Sequence, residues 1–254
     1  MLTSPNRHNL NKIVVLNPKG GCGKTTLVTN LAANFAADGE MPAVMDYDPQ
    51  GSTMRWLEKR PADCAPVYGI AAFKQKMHVT RSWQLRVPAE TSTLIIDSPA
   101  GVSHDDLRNL TQDATSILVP VLPSAIDIHA ASRCIADLLL VAKVDRRDGK
   151  LGVIANRTRR NTRSFASLMR FLDSLGIPVV GILRDSQHYV RAAEEGLGVC
   201  ELPGKRAEQD TEQVARIVSW LRDWQSRSRS ARLEQQIRAA PNVTELHRRR
   251  DESA

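Results

Sequence analysis

Apolar positions along this chain gather into short, nearly continuous runs rather than strict alternation. They fall at residues 13–16, 42–45, 93–96, 116–121, 151–155 and 179–183. Runs of four to six apolar residues predict strands buried on both faces. Between most of them the apolar residues recur every three or four positions, most clearly over 27–38, 126–144, 164–175 and 212–224, which predicts helices. The β-α order repeats. It predicts an α/β fold in which a mainly parallel, twisted sheet is covered by helices on both faces and ligands collect at the strand C-terminal ends.

Residues 61–92 interrupt this pattern with Pro61, Pro66 and Pro88, and predict only short strands near Val67 and at 84–87. Past Trp224 come Ser-Arg repeats, then Pro241 and Arg248-Arg249-Arg250, which predicts a short helix and a flexible end. The expected organisation is a flexible N-terminus (1–11), one α/β domain (12–225) and a basic, partly helical or disordered tail (226–254). A chain of 254 residues suits one such domain plus a tail. No internal repeat is present.

Cys22, Cys64, Cys134 and Cys200 are scattered without a C-x-x-C pair, which suits a reduced compartment and provides no metal framework. The first residues lack a secretory apolar core, and no stretch approaches the roughly 18 apolar residues that would span a bilayer. The expectation is a cytoplasmic protein without stable membrane insertion. A net charge of +7 and a pI near 9.5 favour a polyanionic partner without choosing between nucleic acid and acidic lipid.

The densest chemistry lies directly after the first apolar run, in Lys19-Gly20-Gly21-Cys22-Gly23-Lys24-Thr25-Thr26. Small residues let the backbone curl with its N–H groups inward, Lys24 can reach terminal phosphates, and Thr25 can offer its hydroxyl to Mg²⁺. The helix that follows aims its positive end at the same place. Pro18 stands where a standard phosphate loop has its first Gly, with Lys19 beside it. Since Lys24 already serves the loop's own nucleotide, Lys19 suits a phosphate approached from outside, as across a dimer. Downstream, Asp46-Tyr47-Asp48-Pro49-Gln50-Gly51 and Asp97-Ser98-Pro99-Ala100-Gly101 each follow a predicted strand. Asp97 at a strand tip has Walker B character and would hold Mg²⁺ through water. The small residues after it would make a loop that senses the γ-phosphate.

On these three motifs the chain resembles the ParA/MinD family of deviant Walker A ATPases, P-loop NTPases, over roughly residues 12–225. The resemblance implies ATP and Mg²⁺ as cofactors and an ATP-sandwich homodimer. It gives Lys19 the role of a lysine reaching the partner's phosphates, and Asp48 that of orienting the attacking water. Asp46 would act through Mg²⁺-bound water or loop structure. Asn156 stands where a family Asn or Asp meets the base, although it equally suits a turn. The Pro-rich loop expected at the next strand end is replaced by Leu183-Arg184-Asp185.

Nine Lys or Arg meet two acids between Lys143 and Arg170, with Arg157, Arg159, Arg160 and Arg163 crowded together, and the tail adds Arg227 and Arg229 among others. Such residues give sequence-independent, salt-sensitive DNA binding. The family's ParA-like branch then implies nonspecific DNA as a partner, nucleoid association, and a ParB-like or other cargo adaptor that stimulates hydrolysis. The cargo would be a plasmid, a chromosome or a protein assembly such as a carboxysome. The first strand begins too early for the N-terminal helix-turn-helix of larger plasmid ParA proteins, so operator-specific repression is not expected. A MinD-like membrane ATPase is the alternative, disfavoured by a tail without aromatics and split by Pro241. An ATP-dependent metabolic synthetase ranks below it, because Lys19 and the D-x-D-P-Q motif point elsewhere.

Overall fold

The computed structural model describes residues 10–74 and 87–239. Seven strands, β1 (Asn11–Val15), β2 (Ala43–Asp46), β3 (Tyr68–Ala71), β4 (Thr93–Asp97), β5 (Ser116–Val121), β6 (Leu151–Thr158) and β7 (Val179–Arg184), form one parallel sheet. Their order is β3-β2-β4-β1-β5-β6-β7. Every predicted apolar run within the described residues is a strand. Those inside the sheet are buried because successive side chains enter opposite cores, whereas β7 at the edge is mostly half-buried. Ile13 and Val15 of β1 join the core built with α1 (Lys24–Ala37), α6 (Gln187–Glu194) and α7 (Glu208–Ala239). Val14 faces the other, built with α3 (His104–Thr111), α4 (Ala125–Leu140) and α5 (Arg163–Ser174).

The register levels three strand ends. Val15 pairs with Asp97, and Asp46 pairs with the same Asp97 from the other side. The loop after β1 and the two carboxylates therefore emerge side by side at the C-terminal edge of the sheet.

Three helices have no counterpart in the periodicity: α2 (Ser52–Lys59), α3 and α6, each of 8 residues. Two turns of helix hold too few apolar positions to establish a period. The strand predicted near Val67 is β3. Residues 84–86 lie outside the described residues, as do 1–9 and 240–254. Across residue 225 the chain is helical, since α7 runs 32 residues from Glu208 to Ala239. Ser and Arg there continue a helix already nucleated and packed upstream, where only propagation is required.

Candidate functional site

The loop between β1 and α1 is shaped by the residues around it. Gly23, the residue before α1, has φ +92°, and a Cβ there would stand 2.2 Å from Asn156 Nδ2. A side chain is excluded twice over, by the backbone and by its neighbour. Asn17 is fully buried and fastens the start of the loop, donating from Nδ2 to Pro120 O (2.7 Å) and accepting the Lys19 N–H (2.9 Å). Gly20 and Gly21 are exposed with nothing against their Cβ positions, so the rim is open. Cys22 is buried, and burial raises its thiol pKa.

The two lysines of the loop have different surroundings. Lys24 is buried at the first turn of α1, and its ammonium donates to Asn17 O (2.9 Å) and Lys19 O (3.2 Å). Lys19 lies at the rim with 34% of its side chain exposed, paired at 3.0 Å with Asp127 near the start of α4. Thr26 sits on the outer turn of α1, where its carbonyl accepts from Asn30.

Asp97 collects two hydroxyls on one oxygen. Thr25 Oγ1 donates to Asp97 Oδ2 at 2.8 Å and Thr53 Oγ1 at 2.7 Å, while Asp97 Oδ1 is buried without a partner among the described residues. Burial pushes the Asp97 pKa up to about 6, against the pull of the two hydroxyls. An orphaned carboxylate oxygen beside a threonine hydroxyl is the all-oxygen donor set that a hydrated hard cation takes. Asp46 does something else. It accepts the N–H groups of Asp48 (3.0 Å), Thr53 (3.1 Å) and Met54 (3.3 Å), so it shapes the turn and caps α2. Burial raises its pKa also. Asp48 is half-buried on that turn and accepts the Gln50 N–H at 3.0 Å.

Asn156 lies within β6, not in a turn after it. It is buried against the phosphate loop, with Nδ2 donating to Cys22 O (2.8 Å) and Oδ1 accepting the Arg157 N–H (2.9 Å). Its amide is engaged in holding the loop. The next strand end is closed by an ion pair: Arg184 meets fully buried Asp210 at 2.6 and 2.8 Å, with Ser186 and His188 on the same carboxylate.

The predicted basic surface is divided. Arg157 lies near the end of β6, and Arg159, Arg160 and Arg163 follow it, at the edge that holds the phosphate loop; Arg159 is paired with Asp185 at 2.8 Å. Arg227 and Arg229 lie far along α7.

Three residues of the site escaped sequence reading. Asp127 had a local signal, since Ser124-x-x-Asp127 opens α4, with Ser124 Oγ accepting the Asp127 N–H as the helix cap. Asn17 and Thr53 had none, because the bonds their side chains donate, to Pro120 O and to Asp97, span 103 and 44 positions. Thr53→Val should cost about 1.5–3 kcal/mol of stability near pH 7.5, the worth of a buried hydrogen bond to a charged group, and Thr53→Ser should restore most of it. Urea unfolding of the two variants measures this, and an unaltered Val variant would show the bond to be energetically idle.

A parallel sheet with a glycine-rich loop after β1, a lysine buried at its helix and a carboxylate at the neighbouring strand tip defines a P-loop nucleotide-binding protein. The sequence profile of the CobQ/CobB/MinD/ParA nucleotide binding domain matches residues 13–199, and the chain belongs to that family. It is 30% identical to the maintenance of carboxysome distribution protein A of Gloeobacter kilaueensis over 84% of this chain and 94% of that protein. It is 27% identical to the protein of the same name from Halothiobacillus neapolitanus, over 82% and 94%. The fold superposes on the Cyanothece McdA(D38A)–ATP complex with a TM-score of 0.63 at 18% identity, covering 83% of this chain and 97% of that one.

Proposed function

We propose that this protein is an ATP-driven positioning ATPase that closes on a second copy of itself around ATP, rides on duplex DNA without reading its sequence, and moves a cargo. The observation that carries the reading is the unequal pair of lysines. Lys24 is buried within its own loop, and Lys19 stands at the open rim. One nucleotide needs only the first.

In this reading Lys24 and the N–H groups of residues 20–26 hold the phosphates. Thr25 and Asp97 hold hydrated Mg²⁺, which supplies positive charge to the phosphates when bound. Asp46 fixes the turn from which Asp48 orients the attacking water. Lys19 of each copy meets the other copy's phosphates, adding positive charge where negative charge develops. The resemblance to carboxysome distribution proteins supports a protein assembly such as a carboxysome as cargo, reached through an adaptor that stimulates hydrolysis.

Light scattering with ATP, with ADP and without nucleotide tests the reading, alongside phosphate release with and without duplex DNA. Dimers that require ATP, with slow release of phosphate, are expected. A monomer in every state that turns over a small carboxylate would replace the reading with a metabolic one.

A further inference from the structure

Thr53 stands in the first turn of α2, wholly buried, beside the level at which Asp46 of β2 pairs with Asp97 of β4. Its N–H donates to Asp46 Oδ2 (3.1 Å) and its hydroxyl to Asp97 Oδ2 (2.7 Å), so one residue is fastened to the carboxylates of two adjacent strand tips. Gly51, before the helix, has no side chain with which to cap it, and Asp46 does so from across the turn. The donors on Asp97 are unevenly shared. Thr25 of α1 and Thr53 of α2 both donate to Oδ2, while Oδ1 is buried without a partner among the described residues. A buried carboxylate that served the fold alone would spread its donors over both oxygens, because an unsatisfied buried acceptor costs free energy. A single hydrogen bond leaves the plane of an aspartate carboxylate loose, since its last torsion has a broad well. Two donors from different helices fix that plane, and with it the direction of Oδ1.

We infer that Thr53 is a positioning residue for the cation: its hydroxyl holds the Asp97 carboxylate so that Oδ1 is kept for the water of hydrated Mg²⁺. This role rests on the ATPase reading above and adds to it a residue that acts through Asp97. Thr25 has one hydroxyl proton and two lone pairs, so it can donate to Asp97 and offer its oxygen to the cation together. It does not fix the carboxylate plane by itself. That second constraint comes from Thr53, which is also bonded through its N–H to Asp46. The turn that carries Asp48 is closed at both ends on Asp46, by the N–H groups of Asp48 and Thr53. The carboxylate assigned to the metal and the turn assigned to the attacking water are thereby held to one another by a single residue. Removing a group that orients a metal's ligands lowers the metal affinity by about 10–100-fold.

The test is a Mn²⁺ titration of the full chain saturated with ADP, followed by electron paramagnetic resonance, for wild type, Thr53→Val and Thr53→Ser. Binding of ADP in the presence of EDTA is measured for each. The Val variant, which keeps the shape and loses the hydroxyl, should need about 10–100-fold more Mn²⁺ for half-saturation, with its affinity for ADP in EDTA unchanged. The Ser variant should bind Mn²⁺ as wild type does. Wild-type Mn²⁺ affinity in a Val variant that only unfolds at lower urea would confine Thr53 to the fold; it would overturn the inference and leave the ATPase reading standing. Equal loss in the Ser and Val variants would assign the effect to the methyl group and overturn the inference as well. If the Val variant does not fold, Thr53→Cys replaces it, a weak donor of similar size, with a loss expected and an unchanged affinity again overturning the inference. A wild type that binds ADP yet takes up no Mn²⁺ would overturn the inference and the metal part of that reading together.

Discussion

Lys19→Ala should abolish ATP-dependent dimerisation and lower ATP turnover by about 10³-fold, the effect of removing a cation supplied in trans to a phosphoryl group, while single-subunit ATP affinity changes only a few-fold. The reason lies in the division of labour within the loop. Lys24 keeps its hydrogen bonds to Asn17 O and the residue-19 carbonyl, and those are backbone atoms that the substitution leaves in place. A complication comes from Asp127, whose side chain is 6% exposed and is left without its cation in the variant. A buried charge left alone destabilises the fold. The double variant Lys19→Ala/Asp127→Asn removes that penalty. It should recover thermal stability and still fail to dimerise by light scattering. If the double variant dimerises with ATP, Lys19 serves only to hold α4.

The second large effect has an unusual sign. Asp97→Asn should raise the stability of the nucleotide-free protein at pH 7.5 while removing the stabilisation given by Mg²⁺ with ATP. Burial raises Asp97 from 3.8 to about 6, so the folded chain holds this proton more tightly than the unfolded chain does. Stability contributed by the protonated form is complete below about pH 4, declines as pH rises through the window to about 6, and is absent above it. A shift of about two units corresponds to roughly 3 kcal/mol, an upper bound. Asparagine keeps an oxygen for Thr25 and Thr53 and has no charge to desolvate. Urea midpoints at pH 4, 5, 6 and 7.5 should therefore fall less with rising pH in the variant than in wild type; the remaining slope belongs in part to Asp46. A variant less stable than wild type at pH 7.5 would mean that the Asp97 charge supports the fold.

The fold was legible because parallel strands buried on both faces leave continuous apolar runs, and each run at 13–16, 42–45, 93–96, 116–121, 151–155 and 179–183 became a strand within a residue or three. The phosphate loop was legible because its chemistry is local, with glycines, a lysine and a threonine in eight consecutive positions. What sequence could not convey was set by register and by helix direction. That Asp46 and Asp97 stand level follows from strand pairing across 51 positions. That Asn156 holds the loop follows from a hydrogen bond to Cys22 across 134. The basic residues between Lys143 and Arg170 read as one run, yet β6 carries its two halves to opposite edges of the sheet. The end of α7 was hidden for another reason: the Ser-Arg stretch carries no apolar period, and only docking of the first turns on the sheet fixes the direction of the rest.

Helix α2 is tied by Thr53, in its first turn, to the Asp97 carboxylate and ends against the segment after α6. There Trp56 donates its indole N–H to Leu197 O (3.0 Å), under the Arg60 guanidinium 5.1 Å from its ring, and Arg60 is fastened to Glu201 at 2.6 Å. Trp56 is thus an intrinsic chromophore placed on a helix tied directly to the phosphate edge, whereas Trp220 and Trp224 ride on α7. Any rearrangement of α2 would change the polarity and hydrogen bonding around that indole, and its emission could be followed in unlabelled protein on the millisecond scale of loop closure.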